Sequence, residues 1–476
     1  MSYKTIVGLE IHVELATKTK AFCSCENSFG GEPNTRVCPV CMGMPGALPV
    51  LNEEVVHKAI EAATAFHMTI HPVSRFQRKN YFYPDLTKGY QITQNHEPIA
   101  NDGYLEIDTE AGPKKIRIAQ LQMEEDTGKS LHSEETNTTL MDYNRCGVPL
   151  IEIVSQPDMS SAEEARKFLD KLRKTLKVLG VSDVKMAEGS LRCDVNINLK
   201  NEQTGERSSI AEIKNLNSFR AVVRAIEFEE ARQQKLMEAG EEEVRTTRRW
   251  DDVANETVVM RYKYTANDYR FAPEGDLGPV FVDEAMIQSV VEGMNELPDV
   301  KLERFQRDYG LSPYDAGVLT ERDEIARFFE EVAAQYEDYN SLANWISGEV
   351  LRRVDTDDEE ITIGLRAEDL AYLLRAIDEK KISNNAGKKV LRILFEEGGS
   401  PAEIIQREGL EQVSDTGAIE KVVVEIVAQN PESVTQWKNG KDRVLGFLVG
   451  QVMKATKGKA NPQMANELLR RELEKQ

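Results

Sequence analysis

A chain of 476 residues with 40% hydrophobic and 30% charged content is too long for one ordinary core, so two to four domains of a soluble globular protein are expected. Its formal net charge of −21 excludes a protein that coats nucleic acid nonspecifically. No run approaches the ~20 apolar residues that cross a bilayer, which excludes a membrane span. The opening Met-Ser-Tyr-Lys has no apolar leader, so the expected compartment is the cytoplasm.

Taken in chain order, the first element is Val7–Leu15, where apolar residues fall at every second position, the period of a half-buried strand. The alternate face carries Glu10, His12 and Glu14, with neighbouring side chains about 6–7 Å apart along the strand. Two carboxylates around an imidazole suit a divalent cation or a phosphoryl-transfer site, because they supply oxygen and nitrogen ligands at fixed spacing. A solvated face on an edge strand would show the same pattern. Next come Cys23-x-Cys25, twelve residues, and Cys38-x-x-Cys41. Two close thiol pairs match a tetrahedral zinc site; disulfides are the alternative, disfavoured in a reducing compartment. Four thiolates fill the coordination shell, so such a zinc would staple a loop and do no chemistry. Glu53–Met68 reads as a helix with Val55, Val56, Ala59, Ile60, Ala63 and Phe66 on one face. Arg78 to Asp85 mixes cations with aromatics, which can hold phosphate and stack on a base, or form an aromatic core edge.

Met123 to Ser130 imitates a phosphate-binding loop, but the motif needs glycine five residues before Gly128 and Met123 stands there. What remains is an acidic triplet ending an alternating run. Glu125 shares parity with Leu121 and Met123 if the strand continues, and is a candidate ligand; a polar turn is the alternative. Val148–Val154 is a near-continuous apolar run, buried on both faces by expectation, with Glu152 at its middle. An unpaired carboxylate there would cost several kcal/mol or be protonated. A cation would meet that cost, and so would Arg145 or Arg192. The cation is favoured, because Glu10, His12 and Glu125 offer ligands of the same kind. Ser160 and Ser161, followed by Glu163 and Glu164, open a capped helix running to Leu179. Leu191–Leu199 is another alternating strand, with Arg192, Asp194, Asn196 and Asn198 on its polar face.

Around Asn295–Pro298 the texture changes and helical patterning dominates to the end, with a breaker at Gly398–Pro401. From Trp437 to Lys475 there are nine Lys or Arg against four Asp or Glu. A basic end on an acidic body fits local docking of a polyanion, while Leu445–Met453 within it reads equally as a core helix with basic flanks. Separate β and α regions make the class α+β. No amidase Ser-Ser-Lys signature and no glutaminase Cys-His pattern is present, so any nitrogen donor would be unloaded elsewhere.

Several blocks resemble the GatB family, the B subunit of aspartyl/glutamyl-tRNA amidotransferase. They are VGLEIHVEL at 7–15, RKNYFYPDLTKGYQITQ at 78–94, MEEDTGKS at 123–130, YNRCGVPLIEIVSQPD at 143–158, EGSLRCDVNINL at 188–199, EIKNLNSFR at 212–220 and GFLVGQVMKATKGKANPQ at 446–463. The resemblance implies a glutamine-synthetase-like mixed-sheet cradle over residues 1–295, with a zinc loop at 23–41. A helical domain at 296–404 and a tRNA-gripping helical tail at 405–476 follow. It implies ATP and Mg²⁺ as cofactors for phosphorylating the side chain of Glu mischarged on tRNA(Gln), or of Asp on tRNA(Asn). Ammonia would come from a partner A subunit, with a small C subunit belting the pair. The motif-matched Mg²⁺ ligands are His12, Glu125 and Glu152, with Glu10 beside them. Glu10, Glu125, Lys79 and Lys88 are the implied catalytic residues, and Arg192 and Tyr81 the implied contacts of ATP phosphate. Only part of the family carries the zinc cysteines. One departure stands at Asp268–Leu277, where the family's second aromatic is replaced by Ala272. Two other readings are a noncatalytic zinc-bearing RNA-binding scaffold and the E-type subunit. The latter carries a synthetase-like insertion for which 476 residues leave little room.

Overall fold

The computed structural model describes residues 2–133, 136–262, 269–354, 361–411, 416–438, 441, 443–456, 460 and 462–475. Asp268 of the departing loop, and Gly440, Asp442 and 457–459 of the basic stretch, lie outside the described residues. The chain divides into two compact units, Met1–Pro298 and Asp299–Gln476.

The first unit is built on a nine-stranded sheet. From edge to edge its strands are Glu256–Tyr262, Thr246–Asp251, Ala211–Leu216, Leu191–Asn201, Tyr3–Glu14, Pro149–Ser155, Gly112–Glu125, Ala100–Thr109 and Thr69–Ile70. Ala211–Leu216 and Thr246–Asp251 run parallel, joined across the helix Phe219–Ala239; the other neighbours are antiparallel, so the sheet is mixed.

Alternation along the central strand decides which face is buried. Val7, Leu9, Ile11 and Val13 are at most 1% exposed and share one core with Ile60, Phe168, Leu172 and Ile226 of the three long helices of this unit. Those helices are Glu53–Ala65, Ala162–Val178 and Phe219–Ala239. Each opens on a capping side chain, Asn52, Ser161 and Ser218, that accepts a backbone N–H of the first turn. The helix expected over Glu53–Met68 ends at Ala65, because His67 takes a positive φ of 54° and the chain turns into the next strand. At the second helix, Ser161 accepts from Glu164 N, while the Glu164 carboxylate reaches back one residue further, to Ser160 N at 2.6 Å. With the helices on the odd-numbered face of the central strand, its even-numbered residues stay free for other work. A small sheet of Ala272–Pro273, Gln77–Asn80 and Tyr90–Thr93 brings Lys79 and Tyr81 to that side. The departing loop contributes directly, since Ala272 pairs with Arg78 and Glu274 holds the Arg78 guanidinium through two hydrogen bonds of 2.7 and 2.9 Å.

The second unit is helical among its described residues, with one core formed between Phe305 and Ile405 and another between Ile419 and Leu473. The Gly398–Pro401 breaker separates the helices Asn384–Glu397 and Pro401–Arg407. Leu445, Leu448 and Val452 of the helix Arg443–Ala455 are buried, so one face of that segment is core. No described helix is long and apolar enough to cross a membrane.

Candidate active site

Register across the sheet sets Gln122, Glu152, His12 and Arg192 in one row on four adjacent strands. Glu10 follows two residues along, opposite Asp194. One ligand atom from each of Glu10, His12 and Glu152 lies within 4.8 Å of the others. His12 Nε2 sits 3.5 Å from Glu152 Oε2 and 3.4 Å from Glu124 Oε1. Gln122 donates to Glu152 Oε2 at 2.8 Å. Both oxygens of the buried Glu124 lack a hydrogen-bond partner among the described residues. Orphaned carboxylate oxygens beside an imidazole and two more carboxylates are what a divalent cation would satisfy, so these residues fit one.

The electrostatics agree. Burial opposes a charge on His12, yet the hydrogen bond and charge of Glu152, with Glu124, push the imidazole up to about 9. Burial and the neighbouring Glu152 push Glu124 up to about 7. Against its own burial, Glu152 is held below the usual range by His12. Burial and Asp126 raise Glu14 to about 8. Glu10, His12 and Glu124 open into a pocket of ≈ 580 Å³ whose wall also carries Lys79, Tyr81, Arg192 and Lys214. Lys79 lies 5.0 Å over the Tyr269 ring, and Tyr81 meets that ring edge-on at 5.9 Å. Burial opposes the Lys79 charge, but Glu124 and Glu152 outweigh it and raise its pKa. Lys214 is held by Asp194 and, at 3.1 Å, by Glu212. Arg192 Nε and Asn196 Oδ1 are buried without hydrogen-bond partners among the described residues, two further groups that a ligand would satisfy.

Glu125 is not in this group. The strand runs through it, and its parity with Leu121 and Met123, both 0% exposed, turns it to the helix-covered face. There Lys88 Nζ lies 2.6 and 2.7 Å from its two oxygens, and Ile92 N donates to it at 3.0 Å. Strand alternation therefore puts Glu124, and not Glu125, beside His12. Lys88 goes with Glu125 into a separate cavity of ≈ 210 Å³. The strand Tyr90–Thr93 runs between the two spaces, with Gln91 lining the larger and Tyr90 and Ile92 the smaller. Glu152 is buried as expected, but neither arginine considered for it is its partner. Arg192 and Arg145 instead reach Asp126, at 2.6 and 3.5 Å, and hold its carboxyl down against burial. Reading along the sequence missed Glu124, Asp126 and Lys214. The alternation of 121–125, with apolar Leu121 and Met123 marking the core-facing parity, would have found the first.

Cys23, Cys25, Cys38 and Cys41 come together with all four sulfurs within 4.8 Å. Cys38 and Cys41 Sγ are 3.9 Å apart, against about 3.8 Å for the edge of a tetrahedron with 2.3 Å zinc–sulfur bonds. The Cys23 thiol donates to Cys41, which, with Lys20 nearby, is drawn down to about 5. The set fits a four-coordinate zinc site.

Residues 5–288 match the family described as the GatB/GatE catalytic domain, and residues 327–473 match the one described as the GatB domain. The B subunit of the aspartyl/glutamyl-tRNA(Asn/Gln) amidotransferase of Finegoldia magna is 49% identical over 474 residues, spanning 99% of this chain and 100% of the relative. The Thermotoga maritima protein of the same description is 49% identical over 480 residues, spanning 100% of both chains. That of Carboxydothermus hydrogenoformans is 46% identical over 477 residues, 99% of each. Matches of this extent show that the chain belongs to the GatB family, the B subunits of aspartyl/glutamyl-tRNA amidotransferases.

Proposed function

We propose that the chain activates the side-chain carboxylate of Glu on tRNA(Gln), or of Asp on tRNA(Asn), with ATP. The activated group is then amidated in the ≈ 580 Å³ pocket. As a GatB member the chain is a subunit of the ligase that forms Gln-tRNA(Gln) and Asn-tRNA(Asn). One observation carries the reading of its own role: Glu10, His12 and Glu152 converge from two strands, and Glu124 of a third lies 3.4 Å from His12 with neither oxygen hydrogen-bonded among the described residues.

A carboxylate resists attack by ammonia, so it must first gain a leaving group. Its oxygen attacks the terminal phosphorus of ATP and ADP leaves. Ammonia then adds to the acyl carbon, phosphate departs, and the amide nitrogen gives up a proton to a nearby carboxylate. Glu10, His12, Glu124 and Glu152 would hold Mg²⁺, which neutralises phosphate charge when bound. Lys79 and Arg192 present fixed cations to the phosphates, and Tyr81 with Tyr269 offers an aromatic wall. Lys88, paired with Glu125 in the smaller cavity, is the cation assigned to steering ammonia. This chain carries no amidase signature, which supports an A subunit as the source of ammonia and a C subunit completing the assembly. The remaining parts of the reading are a glutamine-synthetase-like cradle over 1–295, a structural zinc at the four cysteines, a helical domain over 296–404 and a tRNA-binding tail over 405–476.

The test is Glu152→Gln in the reconstituted complex. ATP-dependent activation of the mischarged tRNA should be lost while glutamine hydrolysis by the partner continues. Unchanged amide formation would overturn the assignment. Supplying Glu-tRNA(Gln) and Asp-tRNA(Asn) separately identifies which is used.

A further inference from the structure

We infer that the four-cysteine loop is the seat that holds Lys88 on Glu125, so that a metal bound by the cysteines positions this ion pair at a distance from its own ligands. The contact is direct. Thr87 Oγ1 donates to Cys41 O at 2.8 Å. Gly43, just past the second cysteine pair, has a φ of 63°, and a Cβ there would lie 2.5 Å from Lys88 Cγ and 3.3 Å from Lys88 Cα. The loop therefore rests on Lys88 itself. From the other side Gly147, whose φ is 81°, accepts Ala21 N at 2.9 Å through its carbonyl. A Cβ there would sit 3.5 Å from Cys41 Cβ and 3.9 Å from Glu125 Oε2. Cys23, Cys41, Gly43, Lys88 and Glu125 accordingly line one cavity of ≈ 210 Å³.

Between Glu14 and Glu53 the only strand-type pairing among the described residues is the bridge Thr19–Glu26. Its middle is held to Met141, Asp142 and Asn144 by hydrogen bonds of Asn34 and Arg36, and thiolate ligation would tie its two cysteine pairs, the part that meets Lys88, to one another. Lys20 adds a further tie, donating to Arg36 O at 2.8 Å with Nζ 3.8 Å from Cys41 Sγ. Gly43 and the cysteines are thus positioning residues, acting through Lys88. The effect on ammonia transfer rests on the function proposed above; the seat itself does not.

The test labels lysines in the full chain by reductive methylation and reads Lys88 against the exposed Lys129 by peptide mass spectrometry. Zinc is measured in the same samples. Gly43→Ala is compared with Gly46→Ala, whose φ of 82° imposes the same backbone cost but whose Cβ would meet nothing within 4 Å. Zinc-loaded Gly43→Ala should label Lys88 about tenfold faster than wild type, the effect of losing a charge-assisted hydrogen bond, and Gly46→Ala should not. Chelating the zinc from wild type should do the same, reversibly on adding zinc back. Equal Lys88 labelling in the two glycine variants overturns the inference, and so does labelling unaffected by chelation. Where chelation unfolds the chain, the glycine pair decides; where Gly43→Ala does not fold, chelation decides. Labelling needs neither ATP nor tRNA. If Lys88 is released while glutamine-dependent amide formation is unchanged, the seat stands and the proposed role of Lys88 in ammonia transfer falls.

Discussion

Replacing Glu124 by Gln should weaken binding of a divalent cation far more than replacing its neighbour Glu125. Glu124 Oε1 lies 3.4 Å from His12 Nε2, and neither of its oxygens has a hydrogen-bond partner among the described residues. Two unit charges 4 Å apart attract by about 4 kcal/mol at an effective dielectric of 20, and a divalent ion doubles this. Most of that gain is offset by taking ion and carboxylate out of water, leaving about 2–3 kcal/mol, as for other hydrogen bonds to charged groups. At 1.4 kcal/mol per decade this is a rise in Kd of about 30- to 150-fold. A partial compensation works against it. Glu124 helps to push the His12 pKa up to about 9, so its loss also eases competition between proton and cation at the imidazole. Glu125→Gln removes a charge on the opposite face, one already paired with Lys88 at 2.6 Å, and should change Kd by no more than about threefold. Mn²⁺ titration of the full chain at pH 8 without nucleotide, read by the electron paramagnetic resonance of free Mn²⁺, separates the two. A Glu125→Gln protein that loses Mn²⁺ as severely as Glu124→Gln would refute the reasoning, as would Glu124→Gln with wild-type affinity.

The buried carboxylate Glu229 accepts from Arg232 at 2.9 Å and lies 3.0 Å from Arg248, so Glu229→Ala should cost about 3–5 kcal/mol in urea unfolding of the first unit. Despite burial, Arg232 and its neighbours lower the Glu229 pKa below its ordinary 4.5. Its stabilisation is therefore complete above that value and lost as pH falls through the lower folded one, and the variant should lose this acid dependence. Phe168→Ala, at a fully buried core position, should cost about 3–5 kcal/mol, seen as a lowered urea midpoint at unchanged slope. Cys41→Ser should reduce zinc in protein purified under reducing conditions from one atom per chain to well below it, while Mn²⁺ affinity at the His12 cluster stays near wild type. Removing residues after Glu411 should raise the Michaelis constant for aminoacyl-tRNA much more than that for ATP, with a shallower salt dependence of tRNA binding. A truncated, folded chain that binds tRNA as the whole one does would refute the last.

Some of this was decided by neighbours in the chain. Alternation in Val7–Leu15 is a local property, since a strand must turn successive side chains to opposite faces, and it set Glu10 and His12 on one face before any tertiary contact was known. The spacing of the four cysteines worked the same way, because two close pairs leave a cation little choice of geometry. Glu152 within an apolar run had to be buried and had to find a partner. Other features depended on residues far apart in sequence. Whether Glu124 or Glu125 met His12 turned on the strand continuing through both and on which face of the sheet the helices covered. Asp126 took both Arg192 and Arg145, partners 66 and 19 residues away, so Glu152 was left to His12 and Gln122. Lys88 found Glu125 because the cysteine loop and the strand Tyr90–Thr93 close around it. Period is settled by adjacent residues, whereas register and face are settled by the burial energy of the whole sheet. Only the folded chain could therefore separate the His12 cluster from the Lys88–Glu125 pair.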